Sequence, residues 1–111
     1  MSKKKDVKEI DVLGTPYRIT HASSKEDDQL NTLSGYCITS QKTIVIEADK
    51  LKDLDYTEQW VLRHELVHAF LHESGLDKEA PWGNEGEELF VDWIALQLPK
   101  MVKAMKEAGA L

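Results

Sequence analysis

Two histidines and a glutamate in the segment 64–68, which reads His-Glu-Leu-Val-His, are the residues of this chain best suited to chemistry. On a helix, positions four apart lie one turn above each other, so His64 and His68 can present two imidazole nitrogens to one metal ion. Glu65 lies beside that face, where it can take a proton from zinc-activated water without being a ligand. This spacing is typical of hydrolytic zinc sites and predicts bound Zn²⁺ with Glu65 as the general base.

The motif is short enough to arise by chance in a chain with 4 His and 20 acidic residues. Two features favour function: the intervening positions hold apolar Leu66 and Val67, and the motif falls inside a segment with helical periodicity. A second, acidic helical segment also follows it. The competing interpretation is a pair of structural histidines on an amphipathic helix that binds no metal.

A catalytic zinc site needs a third protein ligand, which the motif does not contain. His72 lies four residues beyond His68, but a helix rises about 1.5 Å per residue. His72 would therefore lie roughly 12 Å along the axis from His64, whereas a Zn–N bond is about 2 Å long. Glu88 is the better candidate, because the next predicted helix can pack across the motif helix.

The acidic residues around Glu88 have two interpretations. Glu87 is an alternative third ligand, although acidic residues in a first helical turn are also expected simply because they complement the helix dipole. Asp92 forms an i, i+4 pair with Glu88 and is surrounded in sequence by apolar residues, so a role in the site explains it better. We expect Asp92 to hydrogen-bond the outer ring nitrogen of a ligating histidine.

The segments 64–68 and 88–95, the second of which reads Glu-Leu-Phe-Val-Asp-Trp-Ile-Ala, are followed by Pro99. Together they resemble the ImmA/IrrE family of zinc metallopeptidases, especially its small stand-alone members from phages and mobile elements. That family pairs His-Glu-x-x-His with a downstream Glu-x-x-x-Asn/Asp-x-x-Ala helix, whose Glu is the third zinc ligand. The resemblance covers roughly residues 35–99 and is most specific in the two helices.

The resemblance implies that His64, His68 and Glu88 bind Zn²⁺ and that Glu65 is the catalytic acid/base. It also implies a zinc metalloendopeptidase that cuts one specific regulatory protein, such as a transcriptional repressor. A zinc-binding interaction module with little or no proteolytic turnover is the alternative. Binding a metal or a partner would not need the carboxylate of Glu65, so its presence favours the enzyme.

Further side chains around the motif keep more than one interpretation. Tyr36, Tyr56 and His21 are each candidates to stabilise the negative charge that develops on a substrate carbonyl, and none is preferred. Cys37 is a candidate nucleophile, but a lone cysteine in a strand pattern is more often a small buried apolar residue. His72 is expected at the surface, near the end of the motif helix.

Composition bounds the rest of the chain. Its 111 residues, 41% of them hydrophobic, predict a single domain over 7–111 with a flexible tail at 1–6. The net charge of -6 argues against direct nucleic-acid binding. One cysteine excludes an internal disulfide, and no apolar run approaches the length of a signal peptide or a membrane span. These features predict a cytoplasmic protein that does not associate with membranes.

The segments before the motif predict short strands. Apolar residues on either side of a turn at 13–16 indicate one or two strands, and those around a turn at 40–42 indicate a hairpin. The expected fold is α+β: a minimal zincin-like domain, in which a small antiparallel sheet of about three strands packs on the motif helix and on a second ligand-bearing helix. An exposed sheet edge at 43–47 would bind an extended peptide.

Capping signals predict that the motif helix begins at Asp55 or Tyr56 and ends near Gly75. The second helix should begin within 85–88, and Pro99 should kink or break it before a terminal helix at 100–108. Both helices carry apolar residues at spacings of three and four. The residues expected to be buried are Leu62, Leu66, Ala69 and Phe70 in the first helix and Leu89, Trp93, Ile94, Leu96 and Leu98 in the second.

Overall fold

The computed structural model describes residues 7–48 and 58–111, and within them the chain folds as α+β. The predicted tail at 1–6 and the predicted helix start at Asp55 or Tyr56 lie outside the described residues. The described helices include none that is both long and apolar enough to cross a membrane. In chain order the elements are β1 (Lys8–Val12), β2 (Thr15–Ala22), β3 (Gly35–Ile38), β4 (Thr43–Glu47), α1 (Glu58–Ser74), α2 (Leu76–Glu79) and α3 (Gly83–Glu107).

The sheet differs from the prediction of about three antiparallel strands. It has four described strands in the order β1-β2-β4-β3. Both β1–β2 and β3–β4 are antiparallel hairpins, but β2 and β4 pair in parallel, which makes the sheet mixed. The reason lies in β4, where Ile44, Val45 and Ile46 are all buried. A strand buried on both faces is suited to the middle of a sheet, so the second hairpin joins the first through β4.

The interior position of β4 overturns the predicted peptide-binding edge at 43–47. Its backbone groups are already paired with β2 on one side and β3 on the other. Among the described strands, β1 and β3 form the two edges of the sheet. Of these, β3 lies directly beside the motif helix α1 and therefore borders the predicted site.

Gly35 allows β3 to lie close to α1. A Cβ atom at this position would meet Val61 Cγ1 at 2.9 Å and the carbonyl oxygen of Val45 at 3.0 Å. Contacts this short cannot be kept, so any larger residue would push the edge strand away from the helix. The glycine thus sets the distance between β3 and α1, the helix that carries the histidines.

The core lies between the sheet and α1, and it corrects the expected burial of the motif helix. Ala69 is buried, and Leu62 and Leu66 pack against the core as predicted, but Phe70 is 40% exposed. Positions 61, 65 and 69 turn toward the sheet instead, so the buried stripe is offset from the predicted one. The buried core cluster comprises Val12, Tyr17, Ile19, Ile44, Ile46, Val61 and Ala69.

The last turn of α1 is fastened to the sheet by Glu73. Its carboxylate accepts hydrogen bonds from Lys42 Nζ at 2.7 Å, the Tyr17 hydroxyl at 2.7 Å and Thr15 Oγ1 at 3.1 Å. The hydrogen bonds from Lys42 and Tyr17 lower the pKa of Glu73 to about 2. Gly75 follows with a φ of 82°, the left-handed conformation expected at a helix end.

Helix α3 is continuous through Pro99, so the predicted break is absent. Proline has no N–H to donate, which leaves the Ala95 carbonyl without its helical partner four residues on. Arg63 of α1 fills that role, because its Nε donates to the Ala95 oxygen at 2.7 Å. The hydrogen bond gives the Ala95 carbonyl a donor in place of the missing proline N–H, and it links α3 to α1.

This link gives a stability prediction. Arg63→Met should lower the free energy of unfolding by about 1.5–3 kcal/mol, the range for a hydrogen bond to a charged group. Pro99→Ala would supply an N–H to Ala95, so the loss should be smaller in the double variant. Urea unfolding of the four proteins in this cycle measures the coupling. Arg18→Met, at an exposed position, is the matched control, and additive effects of Arg63→Met and Pro99→Ala would contradict the link.

The buried face of α3 also differs from the prediction. Val91 and Ala95 are the fully buried residues, and they face α1. The larger apolar residues that were expected to be buried are mostly exposed. A small residue such as Ala95 lets the two helices lie close together, and it takes the buried position instead. The exposed fractions are 73% for Leu89, 51% for Trp93, 52% for Leu96 and 37% for Leu98.

Candidate metal centre

Helices α1 and α3 bring the three predicted ligands together. Glu88 reaches both histidines: its Oε1 lies 3.2 Å from His64 Nε2, and its Oε2 lies 2.9 Å from His68 Nε2. One donor atom from each residue lies within 4.8 Å of the other two. The three residues therefore form a group that could hold a metal ion, and His72 is not part of it.

The outer ring nitrogens of the histidines also face carboxylates. Glu87 Oε2 accepts a hydrogen bond from His68 Nδ1 at 2.8 Å. Asp92 Oδ1 lies 2.9 Å from His64 Nδ1, but that nitrogen has no hydrogen-bond partner among the described residues. The hydrogen bond predicted for Asp92 is therefore absent, and the two groups face each other only as a charge and a ring. Each imidazole thus points one nitrogen at Glu88 and the other at a second acid.

The positions of Glu87 and Glu88 distinguish their roles. Glu88 approaches the inner nitrogens, whereas Glu87 contacts only the outer nitrogen of His68. Glu88, and not Glu87, therefore belongs to the group that could hold a metal ion. The sequence indicates that Glu87 belongs to a solvated helix start, but its side chain is only 19% exposed, so this interpretation is wrong. A signal was present in the sequence, because Glu87 lies four residues before buried Val91 and shares its face of the helix.

Glu65 lies in the wall of the same cleft and belongs to the buried side of α1. Its exposed fraction is 8%, and burial raises the pKa of its carboxyl to about 7, an effect partly offset by the nearby His68 and reinforced by the charge of Glu88. A carboxyl with this pKa can both accept and release a proton near neutral pH. The motif therefore places an acid/base group next to the three converging side chains.

Burial also acts on His64. Its side chain is 14% exposed, and burial lowers its pKa, with a further lowering from the neighbouring His68. The lowered pKa favours the neutral imidazole, which has a lone pair available for a metal ion. Two imidazoles and one carboxylate are a donor set that catalytic zinc sites use.

The observed distances suit such a site. Ligand atoms that lie about 2.0–2.2 Å from a tetrahedral zinc ion are roughly 3.4 Å from one another. The two contacts of Glu88, at 3.2 Å through Oε1 and 2.9 Å through Oε2, are close to that separation, and one donor atom from each residue lies within 4.8 Å of the others. The Glu88 side chain is 56% exposed, so the group is open to solvent on the α3 side.

The cleft beside these residues has a volume of about 560 Å³. Its floor is the motif part of α1, and its sides are the edge strand β3 and the beginning of α3. From β3 it is lined by Gly35, Tyr36 and Cys37. An extended ligand lying against β3 would therefore pass directly over Glu65 and the histidines.

The candidates for stabilising a substrate carbonyl differ in their positions. Tyr36 lines the cleft, but its hydroxyl donates to Asp27, and burial together with that hydrogen bond raises its pKa to about 12. His21 is not among the residues that line the cleft, and its Nε2 lies 2.5 Å from Glu58. Tyr56 lies outside the described residues.

Two residues considered in the sequence are not placed for chemistry. Cys37 lines the cleft but is partly buried, and burial raises the pKa of its thiol to about 12, so it is protonated at neutral pH. This favours its interpretation as a small apolar residue. His72 lies near the end of α1, where its Nδ1 is 3.1 Å from Asp77.

Comparison of the chain with protein-family models, with curated proteins and with solved structures found no match. The class of protein must therefore be inferred from the side chains of the site. These are two histidines one helical turn apart, a carboxylate that bridges them from a second helix, and a buried glutamate next to them.

Proposed function

We propose that this chain is a zinc-dependent metallopeptidase of the ImmA/IrrE type. The observation that carries the proposal is the convergence of His64, His68 and Glu88 with the buried carboxyl of Glu65 in one open cleft. Zinc is the metal inferred, because two imidazoles and a carboxylate with an open side are the ligands of catalytic zinc in peptidases. The motif spacing and the family resemblance support the same choice.

Bound zinc would supply Lewis acidity, which polarises a carbonyl and makes water a stronger nucleophile near neutral pH. Glu65 takes a proton from the attacking water and later gives it to the leaving amine, as its raised pKa allows. Glu87 orients the His68 ring from behind through its hydrogen bond to Nδ1. The carboxylate of Asp92 acts on His64 by charge alone, from 2.9 Å beside Nδ1, and favours the ring orientation in which Nε2 is directed at the cleft.

The substrate of the proposed enzyme is an extended peptide bound along β3. The outer side of this strand has no neighbouring strand in the described sheet, and main-chain hydrogen bonds to a free edge suit an extended backbone. This replaces the predicted edge at 43–47. We further propose that the physiological substrate is a specific regulatory protein, such as a transcriptional repressor, encountered in the cytoplasm.

The proposal is tested with untagged protein, either loaded with zinc or treated with a chelator, and incubated with a peptide library in ¹⁸O-labelled water. Mass spectrometry should find fragments with the label in their new carboxyl termini, only in the zinc-loaded sample, and again after zinc is restored. Stoichiometric zinc without cleavage of any peptide or candidate repressor would contradict the peptidase and favour the zinc-binding interaction module.

The orienting carboxylates give a separate prediction on metal affinity. Glu87→Gln and Asp92→Asn should each weaken zinc binding by roughly 10- to 100-fold, the usual effect of removing a partner from a ligating histidine. Competition with a chromophoric chelator measures the affinity. Glu107→Gln, an exposed position at the other end of the same helix, is the matched control. If Asp92→Asn and the control bind zinc with equal affinity, Asp92 has no role in the metal site.

A further inference from the structure

The outer face of α3 carries an apolar stripe with no described partner. Leu89, Trp93 and Leu96 follow one another at spacings of four and three, so they lie on one side of the helix. More than half of each side chain is exposed, whereas Val91 and Ala95 on the opposite side are fully buried. Tryptophan and leucine exposed together in this way are typical of the core of a protein interface.

Charged residues extend the stripe in both directions. Glu85 lies one turn before Leu89, Lys100 lies one turn after Leu96, and both are exposed. Along the helix, the outer face therefore presents an acidic residue, three apolar residues and a basic residue in turn. The three apolar residues are a leucine, a tryptophan and a second leucine. The two leucines and the two charges are each centred on the same point, between Asp92 and Trp93.

This symmetry indicates that the partner of the stripe is the same stripe on a second copy of the chain. If a second α3 lies antiparallel across the stripe, with a twofold axis at that central point, each Leu89 faces the other chain's Leu96 and each Glu85 faces its Lys100. The two Trp93 side chains then meet beside the axis. A parallel arrangement would instead set Glu85 against Glu85 and Lys100 against Lys100, which repel each other.

We propose that a second copy of this chain docks on the outer face of α3, antiparallel to the first, to form a twofold symmetric dimer. Such an interface is isologous, because the same patch serves both chains. It has an apolar centre and a charged rim, the usual arrangement of protein interfaces. The dimer goes beyond the proposed peptidase activity and does not depend on a bound metal.

The interface would also cover one side of the candidate metal centre. Asp92 lies next to the twofold axis, and its side chain is 53% exposed in the single chain. Docking of the second copy shields this carboxylate from solvent in both chains. The two clefts remain on the α1 side of α3, away from the contact.

Sedimentation velocity over a wide range of protein concentrations tests the dimer. The wild type should sediment as a dimer, and Trp93→Ala should raise the dissociation constant by at least roughly 30-fold, as expected for an interface hot spot. Trp93 is exposed, so circular dichroism should show an unchanged fold in the variant. A wild type that stays monomeric at every concentration overturns the proposal, whatever else the stripe binds.

Exchanging the charges tests the antiparallel arrangement. Glu85→Lys and Lys100→Glu should each weaken the dimer, because each places like charges opposite one another, and the double variant should restore it. Lys106→Glu, at an exposed position away from the stripe, is the matched control and should leave the dissociation constant unchanged. A double variant no tighter than either single variant overturns the proposed pairing.

Discussion

Glu65→Gln is expected to abolish peptide hydrolysis while zinc stays bound. The amide cannot accept a proton from water, and the loss of a general base costs roughly 10²- to 10⁴-fold in rate. Glu65 makes no contribution to the triad of converging donors, so the metal affinity should change little. The amide is close in size to the carboxyl it replaces, which suits a position only 8% exposed.

The measurement is kcat/KM on a peptide that the wild type cleaves, together with zinc per chain and the thermal midpoint. Burial raises the pKa of Glu65, so a neutral amide should fold at least as stably as the charged carboxylate in the metal-free protein. Glu58→Gln, exposed on the same helix, is the control. Undiminished cleavage by Glu65→Gln would remove this residue from the mechanism.

Glu88→Ala is expected to remove most of the zinc. Glu88 is the only side chain in the described group that comes from α3, and it reaches the inner nitrogens of both His64 and His68. Without it, two imidazoles remain, too few for a stable catalytic site. The loss of affinity should exceed the roughly 10- to 100-fold effect predicted for the orienting carboxylates.

Elemental analysis of untagged wild type and Glu88→Ala, purified side by side, makes this comparison. One zinc ion per chain in the wild type and far less in the variant is the expected result. Glu107→Ala, at an exposed position on the same helix, controls for the loss of one acidic residue. A wild type that holds no zinc even after reconstitution would favour the interpretation of the histidines as a structural pair. It would also contradict the proposed zinc peptidase.

The grouping of His64, His68 and Glu88 was largely predictable, because much of it depends on short-range geometry. The spacing of His64 and His68 on one helix fixes their common face, whatever the rest of the chain does. The choice of Glu88 as the third ligand rested on two arguments. His72 is too far along the helix from His64 to share one metal ion with it, and the family resemblance points to Glu88. Its contacts with both histidines agree with that choice. Glu87 was misjudged, because its partner His68 lies on another helix.

The parts of the fold that were predicted wrongly depend on contacts distant in sequence. Strand patterns locate the two hairpins but carry no information on which strand of one pairs with which strand of the other. The same limit applies to α3, where helical periodicity shows an apolar stripe at Leu89, Trp93 and Leu96 without showing that α1 packs on the other side. At Pro99, the carbonyl of Ala95 accepts its hydrogen bond from Arg63 of α1, a contact that helical periodicity does not show.

The shortness of β3 has a consequence for the behaviour of the protein in solution. An unpaired edge strand is a template for sheet-to-sheet aggregation, and long flat edges are the dangerous ones. The strand spans four residues and then passes into a 3₁₀ turn at Thr39–Gln41, so few open backbone groups remain for another chain. The same length limits main-chain recognition to a few residues of a bound peptide. In the proposed enzyme, an edge this short would accept a single extended segment over Glu65 and yet give little support to the growth of a fibril.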